Sequence, residues 1–359
     1  MGETAKVLMS NIALPTVAIG SWTTRMSRFI TENPDIFNYI LSPNTSFNTA
    51  VYCKKRSFIT YKKQARRVQL LHWVASDYVK QLKKIAKNHN KLVIVVMDDP
   101  HLVEAISLIK NRLKSEVELV FSFHGFQLFL DSKIIETIDK ILWLSQIGAD
   151  KNKAKYKNFP KVYVVGNAVD SEVFYPLETS EFRKNRIEKG YSETDDILIW
   201  MANDRPKKGF HIFKPVAEKL LEKHKELKVI IIGSTQTIDH PNVNSIGRIP
   251  NNEVANYLQL GNYYMFTTLY EEGFGLSMIE AFKCGNAVIA SNKGAIPEVL
   301  KDLKQTYIVD NVENINSWID SFNLARTNSN FGEIRITKLE ADIVWDYNVW
   351  ESKFMNAIQ

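Results

Sequence analysis

Glu272 and Glu280 stand eight residues apart on either side of a glycine-rich turn, in the stretch YEEGFGLSMIEAFKCGNAVIAS (270–291). Two carboxylates so placed suggest three chemistries: an acid/base pair, a metal site, or acceptors for ligand hydroxyls at the mouth of a helix. A glycosidase pair must hold its carboxyl groups about 5–9.5 Å apart across one bond. With a helix starting near Gly275, Glu280 lies one to two turns inside it. At about 1.5 Å rise per residue the two backbones are then roughly 10 Å apart. No third acid completes that set, and no His or Asp stands at a spacing suited to a metal site. Polar recognition at a helix N-terminus is left. Gly273 and Gly275 let backbone approach a ligand, and the amides of Phe274, Gly275 and Leu276 point out of the helix start toward negative charge. A diphosphate fits there, with Glu272 and Glu280 accepting from hydroxyls at its two ends, and a nucleotide-sugar has that shape. Spacing alone is equally compatible with a surface loop followed by an amphipathic helix that carries Glu280 on its wet side.

Three further segments bear on the choice. NDRPKKGF (203–210) sets Arg205, Lys207 and Lys208 beside Gly209. Cations after a strand suit a leaving diphosphate, which gains charge in the transition state, although such a run by itself also describes a solvated turn. FSFHGF (121–126) places His124 and Gly125 at the end of an apolar strand, and AIGSW (18–22) would bring Gly20 against phosphates without a GxGxxG pattern. No DxD motif is placed to hold a metal, since MDDP (97–100) lies in the first half, and neither metal nor cofactor is expected.

These residues need elements to position them. Apolar runs at 6–12, 92–97, 117–123, 140–145 and 161–167 read as buried parallel strands, with helical spacing over 101–114. The second half repeats the scheme, with strands at 197–202, 228–233, 263–268 and 287–291 and helices at 211–225, near 252–260 and from about 275. Strand–helix alternation implies parallel sheets covered on both faces. The fold class expected is α/β with two Rossmann-like domains facing across a cleft, where ligands bind outside the carboxyl ends of the strands. At 359 residues, two domains are also what chain length favours.

Composition narrows the class. The 45% apolar and 24% charged content is that of a folded chain. Two cysteines supply no disulfide framework. The N-terminus lacks the pattern of a signal peptide, and no apolar run approaches the roughly 20 residues that span a bilayer. A cytoplasmic location is expected. Residues 1–170 hold 25 Lys+Arg against 14 Asp+Glu, and the remainder 21 against 26, so the net charge of +6 hides a basic first half and an acidic second half. KKRSFITYKKQARR (54–67) contains seven basic residues and no acid, a solvated loop and helix start or a patch for an anionic membrane surface. The basic residues have no interleaved aromatic platform, and nucleic acid is not an expected partner.

Together, EEGFGLSMIEAFKCGNAVIAS and GAIPEV (294–299) resemble the donor-site signature of retaining nucleotide-sugar glycosyltransferases of family 4, which have the GT-B fold. The resemblance extends to NAVDSEVF (167–174), KKG (207–209), HG (124–125) and VWDYNVWESKF (344–354), the last like the family's final helix that crosses back to the first domain. It implies an acceptor-binding domain over 1–168, joined by 340–359, and a donor-binding domain over 169–339. It assigns Glu272 to the donor sugar, Glu280 to the ribose, Lys208 with Arg205 to the diphosphate and His124 to the sugar. Arg248 and Ile249 of IGRIP (246–250) lie near the base. The family's arginine, five residues before the lysine, is replaced here by Asn203. The partners implied are a nucleotide-sugar donor, UDP- rather than GDP-linked, and a glycan or lipid-linked acceptor in polysaccharide or lipopolysaccharide biosynthesis. The location implied is peripheral on the inner face of the membrane. A non-catalytic nucleotide-sugar-binding protein, or a nucleic-acid-binding protein using the basic half, are the alternatives.

Overall fold

The computed structural model describes residues 3–16, 21–44, 46, 48–56, 67–328 and 336–359. The chain divides into two compact units, Met1–Gly166 with Glu351–Gln359, and Asn167–Trp350.

In the first unit, β1 (Thr4–Met9), β2 (Tyr39–Ser42), β3 (Ala50–Tyr52), β4 (Lys91–Met97), β5 (Glu116–Ser122), β6 (Lys140–Trp143) and β7 (Lys161–Val164) form a parallel sheet in the order β3-β2-β1-β4-β5-β6-β7. In the second, β8 (Asp196–Met201), β9 (Leu227–Ile232), β10 (Val243–Gly247), β11 (Tyr263–Phe266), β12 (Ala287–Ser291) and β13 (Thr306–Val309) run parallel in the order β10-β9-β8-β11-β12-β13. Both orders reverse direction between two neighbouring strands, β1 and β4 in one unit and β8 and β11 in the other. At such a switch point the loops leaving the strand ends splay apart and open a crevice. The central strands are unbroken apolar runs because helices cover both faces; Val95, Val96, Ile230 and Ile231 are fully buried.

The structure departs from the sequence reading in instructive places. The helix predicted over 101–114 is a helix Pro100–Ser107 and a 3₁₀ turn Lys110–Arg112. Strands β2, β3, β10 and β13 went unread. β10 (VNSIG) is an edge strand with exposed polar residues, and β2, β3 and β13 are at most four residues long. Residues 340–350 pack with the second unit instead of the first. The buried Lys283 holds them there, its Nζ donating to the carbonyls of Ala341 (2.6 Å) and Val344 (2.8 Å). Trp345 adds a hydrogen bond from Nε1 to the Val299 carbonyl (3.0 Å) and an edge-on contact with Phe274 at 4.9 Å. Among the described residues no helix is long and apolar enough to cross a membrane.

Candidate functional site

At the switch point of the second unit, the loop after β8 meets the loop after β11. Lys208 Nζ donates to Glu272 Oε1 at 2.6 Å, with both side chains mostly buried, and Thr268 Oγ1 donates to the same oxygen at 3.1 Å. The two loops are stitched along their backbones. Leu269 N donates to the Lys207 carbonyl (2.8 Å), and the Thr267 hydroxyl lies 3.1 and 3.0 Å from the carbonyls of Lys208 and Gly209. That hydroxyl accepts from Trp200 Nε1 at 2.9 Å. Gly209 is required here: its φ is +78°, and a Cβ would lie 1.9 Å from the Thr267 carbonyl oxygen. Glu272 is braced from its other side. Gly294, at φ +63°, comes so close that a Cβ would lie 2.4 Å from the Glu272 carbonyl oxygen, and Ala295 N donates to that oxygen at 2.9 Å.

A cavity of about 1040 Å³ opens beside this pair at the carboxyl ends of β8, β9, β10 and β11. Arg205, Lys208, Arg248, Ser234, Phe266 and Ser277 are on its walls. Arg205 and Arg248 are exposed, and among the described residues neither guanidinium meets a carboxylate. Lys208, by contrast, has its charge matched by Glu272. The helix Leu276–Lys283 begins at Gly275, whose φ of +84° ends the loop, and its first turn has no side-chain cap. Its amides therefore stay available to an anion. Gly273 is buried, Leu276 half-buried, and the buried Phe274 ring faces Trp345, so Phe274 has only backbone to offer a ligand. Ile249 is half-buried beside Arg248. Glu280 is half-buried on the helix and accepts no hydrogen bond from the described residues, and burial pushes its pKa up to about 7.

The first unit holds His124 at the carboxyl end of β5. Arg25 Nη2 lies 3.1 Å from His124 Nε2, Trp22 stacks on the ring at 5.5 Å, and His124 N donates to Asp98 Oδ1 at 2.9 Å. A guanidinium only donates, so Nε2 is the acceptor and the ring proton sits on Nδ1. Burial and the Arg25 guanidinium push the pKa of His124 well below its ordinary value, and the imidazole is neutral. This excludes Nε2 as a free general base in this arrangement. Asp98 and Asp99 of MDDP are occupied: Asp98 faces His124, while Asp99 caps the helix Pro100–Ser107 and pairs with Lys55. Among the described residues no three His, Cys, Asp or Glu side chains group as a metal site. Gly20 lies outside the described residues, as do positions 57–66 of the basic segment.

Sequence reasoning missed Arg25, Trp22 and Asp204. The first two sit about a hundred positions from His124, Arg25 outside every motif and Trp22 at the end of AIGSW, where only the glycine drew notice. Asp204 was passed over as an acid in an otherwise basic loop; its position directly after the strand was the available signal.

Residues 181–335 match the family model described as "Glycosyl transferases group 1". Among curated proteins, the chain is 24% identical over 203 residues to the phosphatidylinositol N-acetylglucosaminyltransferase GPI3 subunit of Saccharomyces cerevisiae, covering 52% of this chain and 44% of that one. It is 27% identical over 172 residues to a phosphatidyl-myo-inositol mannosyltransferase of Propionibacterium freudenreichii, covering 47% and 42%. The chain thus matches less than half the length of these relatives. Solved structures agree over nearly the whole chain. A glycosyltransferase from Rickettsia africae has a TM-score of 0.73 at 14% identity (99% and 98% covered), and Anabaena HepE in complex with UDP and glucose has 0.68 at 13% (98% of both). The second unit therefore carries a glycosyl transferases group 1 domain, in a chain whose fold is that of the GT-B glycosyltransferases.

Proposed function

We propose that the chain is a retaining glycosyltransferase that moves a sugar from a nucleoside-diphosphate-sugar, UDP-linked in preference to GDP-linked, to an acceptor hydroxyl. The observation that carries this reading is the Lys208–Glu272 pair at the switch point, beside a cavity with two guanidiniums that meet no carboxylate among the described residues. Arg205, Lys208 and the uncapped amides of the helix Leu276–Lys283 meet the charge that grows on the leaving diphosphate. Glu272 accepts from hydroxyls of the transferred sugar and Glu280 from those of the ribose. His124, neutral and with its proton on Nδ1, acts as a hydrogen-bond donor and not as a base. The acceptor hydroxyl loses its proton late, to the departing phosphate oxygen, so the reaction needs no general base from the protein. Arg205 substitutes for the family arginine whose place is taken by Asn203. Two relatives carry phosphatidylinositol in their names, which supports a glycan or lipid-linked acceptor and a place in cell-surface glycan synthesis at the membrane face.

Ligand-detected NMR against a panel of UDP- and GDP-sugars tests the donor, and anomeric analysis of product tests retention. Lys208→Ala should lose about 10²–10³-fold in turnover, the scale for removing a preorganised charge stabiliser. EDTA should leave wild-type activity intact. Full activity in Lys208→Ala, or its abolition by EDTA in the wild type, contradicts this leaving-group chemistry.

A further inference from the structure

Asp204 is an acid on the loop whose cations line the cavity, and it lines the cavity itself. Coulomb's law makes such a charge unfavourable to an anionic ligand. Its carboxylate is nevertheless fully engaged. Oδ1 accepts from Ser234 Oγ (2.5 Å) and from Thr235 N (3.0 Å), and Oδ2 accepts from Thr235 Oγ1 (3.0 Å). Ser234 is itself buried, and its oxygen accepts from Gln236 N at 2.9 Å, which aims its own proton at Asp204. These hydrogen bonds, that from Ser234 foremost, hold the Asp204 carboxyl below its ordinary range.

The consequence is mechanical. The loop after β8 is tied at one end to the loop after β9 through Asp204, and at the other to the loop after β11 through Lys207, Lys208 and Gly209. Only Arg205 and Pro206 lie between the two ties. Pro206 opens a 3₁₀ turn with its φ fixed by the ring. Arg205 thus hangs on a short span held at both ends, and its guanidinium is carried on backbone with little freedom to drift.

We propose that Asp204 is a positioning residue, whose bonds to Ser234 and Thr235 hold the loop so that Arg205 meets the phosphates of a nucleoside diphosphate. This rests on reading the cavity as a nucleoside-diphosphate pocket. It predicts the reverse of simple electrostatics, because removing this negative charge should weaken the binding of an anion. It also distinguishes Asp204 from the neighbouring Asn203, whose Oδ1 accepts, among the described residues, only from Arg205 N within the same loop (3.2 Å).

The experiment is calorimetric titration of UDP, GDP and ADP into the full chain and its variants, with thermal melts run in parallel. Asp204→Ala should bind the preferred nucleotide about tenfold more weakly, the effect of losing roughly one to two net hydrogen bonds. The double variant Ser234→Ala/Thr235→Val, which keeps the charge and removes both hydroxyl donors while the Thr235 amide remains, should lose most of that factor and covers the case in which Asp204→Ala fails to fold. Asp204→Asn, which keeps an acceptor but no charge, should stay within about threefold of wild type. Wild-type binding with equal or tighter binding by Asp204→Ala overturns the positioning role alone. A lowered melting temperature with unchanged affinity likewise makes Asp204 purely structural. If the wild type binds none of the three nucleotides, the pocket reading falls and takes this proposal with it.

Discussion

Glu280 combines a half-buried carboxylate with no hydrogen-bond donor among the described residues, and burial moves its pKa from about 4.5 to about 7. Between those values the unfolded chain is ionised while the folded one keeps its proton. The folded state therefore binds more protons, and the stability contributed by this group falls as pH rises from about 4.5 to about 7. Glu280→Gln should flatten that slope in urea unfolding. A ribose would reverse the balance for the ligand, since an ionised carboxylate accepts from two hydroxyls. Nucleoside-diphosphate affinity should accordingly rise between pH 6 and pH 8 in the wild type. Glu280→Ala should lose on the order of 1–3 kcal/mol of binding together with that pH dependence, measured by calorimetry at both pH values. Unchanged affinity in Glu280→Ala would remove the ribose assignment. His124 shows the complementary case at this scale: burial and then Arg25 against Nε2 keep it neutral, and no local motif announces Arg25.

The loop Asn203–Gly209 works as an element because it is tied at both ends, by the Asp204 carboxylate at one and by backbone carbonyls at the other, and Gly209 is where the fit is tightest. With φ +78° and the Thr267 carbonyl oxygen 1.9 Å from where a Cβ would stand, backbone must move to admit even alanine. Gly209→Ala should destabilise the second unit by about 3 kcal/mol or more, at the upper end of single-substitution effects. The shift should be visible as a drop of many degrees in thermal unfolding, and a change below about 2 °C would show that the loop yields instead. The same loop explains what was legible in the sequence. Runs such as LVIVVM and VIII are buried on both faces, so their apolar continuity revealed β4 and β9 and, with them, where ligand-facing loops begin. The glycines and charges after β8 and β11 followed from those strand ends. Edge strand β10 was hidden because its polar residues face solvent, and Asp204 because its partners arrive from 30 residues away in the loop after the neighbouring strand β9. Contacts between segments far apart in sequence leave no periodic trace, which is also why the placement of residues 340–350 against Lys283 was not foreseen.

At the scale of the molecule the charge is uneven: 25 basic against 14 acidic residues over 1–170, and 21 against 26 in the remainder. The densest cluster, residues 54–67, is less free than its sequence suggests, since Lys55 pairs with Asp99, and Arg56 lies 4.0 Å from Asp77 and over the Trp73 ring at 5.2 Å. Four basic residues later in the segment, Lys62, Lys63, Arg66 and Arg67, carry the membrane proposal, with Phe58 and Tyr61 supplying apolar groups for the headgroup layer. Each basic residue near an anionic leaflet contributes about 1 kcal/mol, so three or four give roughly 3–4 kcal/mol. That supports reversible attachment and falls well short of permanent anchoring. The attraction also acts only over a Debye length, about 8 Å at physiological ionic strength and shorter above it. Sedimentation with phosphatidylserine-containing liposomes separates the possibilities. Wild type should pellet at low salt and be released as salt rises, while the variant Lys62→Ser/Lys63→Ser/Arg66→Ser/Arg67→Ser stays in solution with its melting temperature preserved. Liposomes of neutral lipid alone should bind neither protein. Equal pelleting of the two proteins on anionic lipid would move the contact to another surface, and no pelleting of the wild type would favour a freely diffusing acceptor over a lipid-linked one.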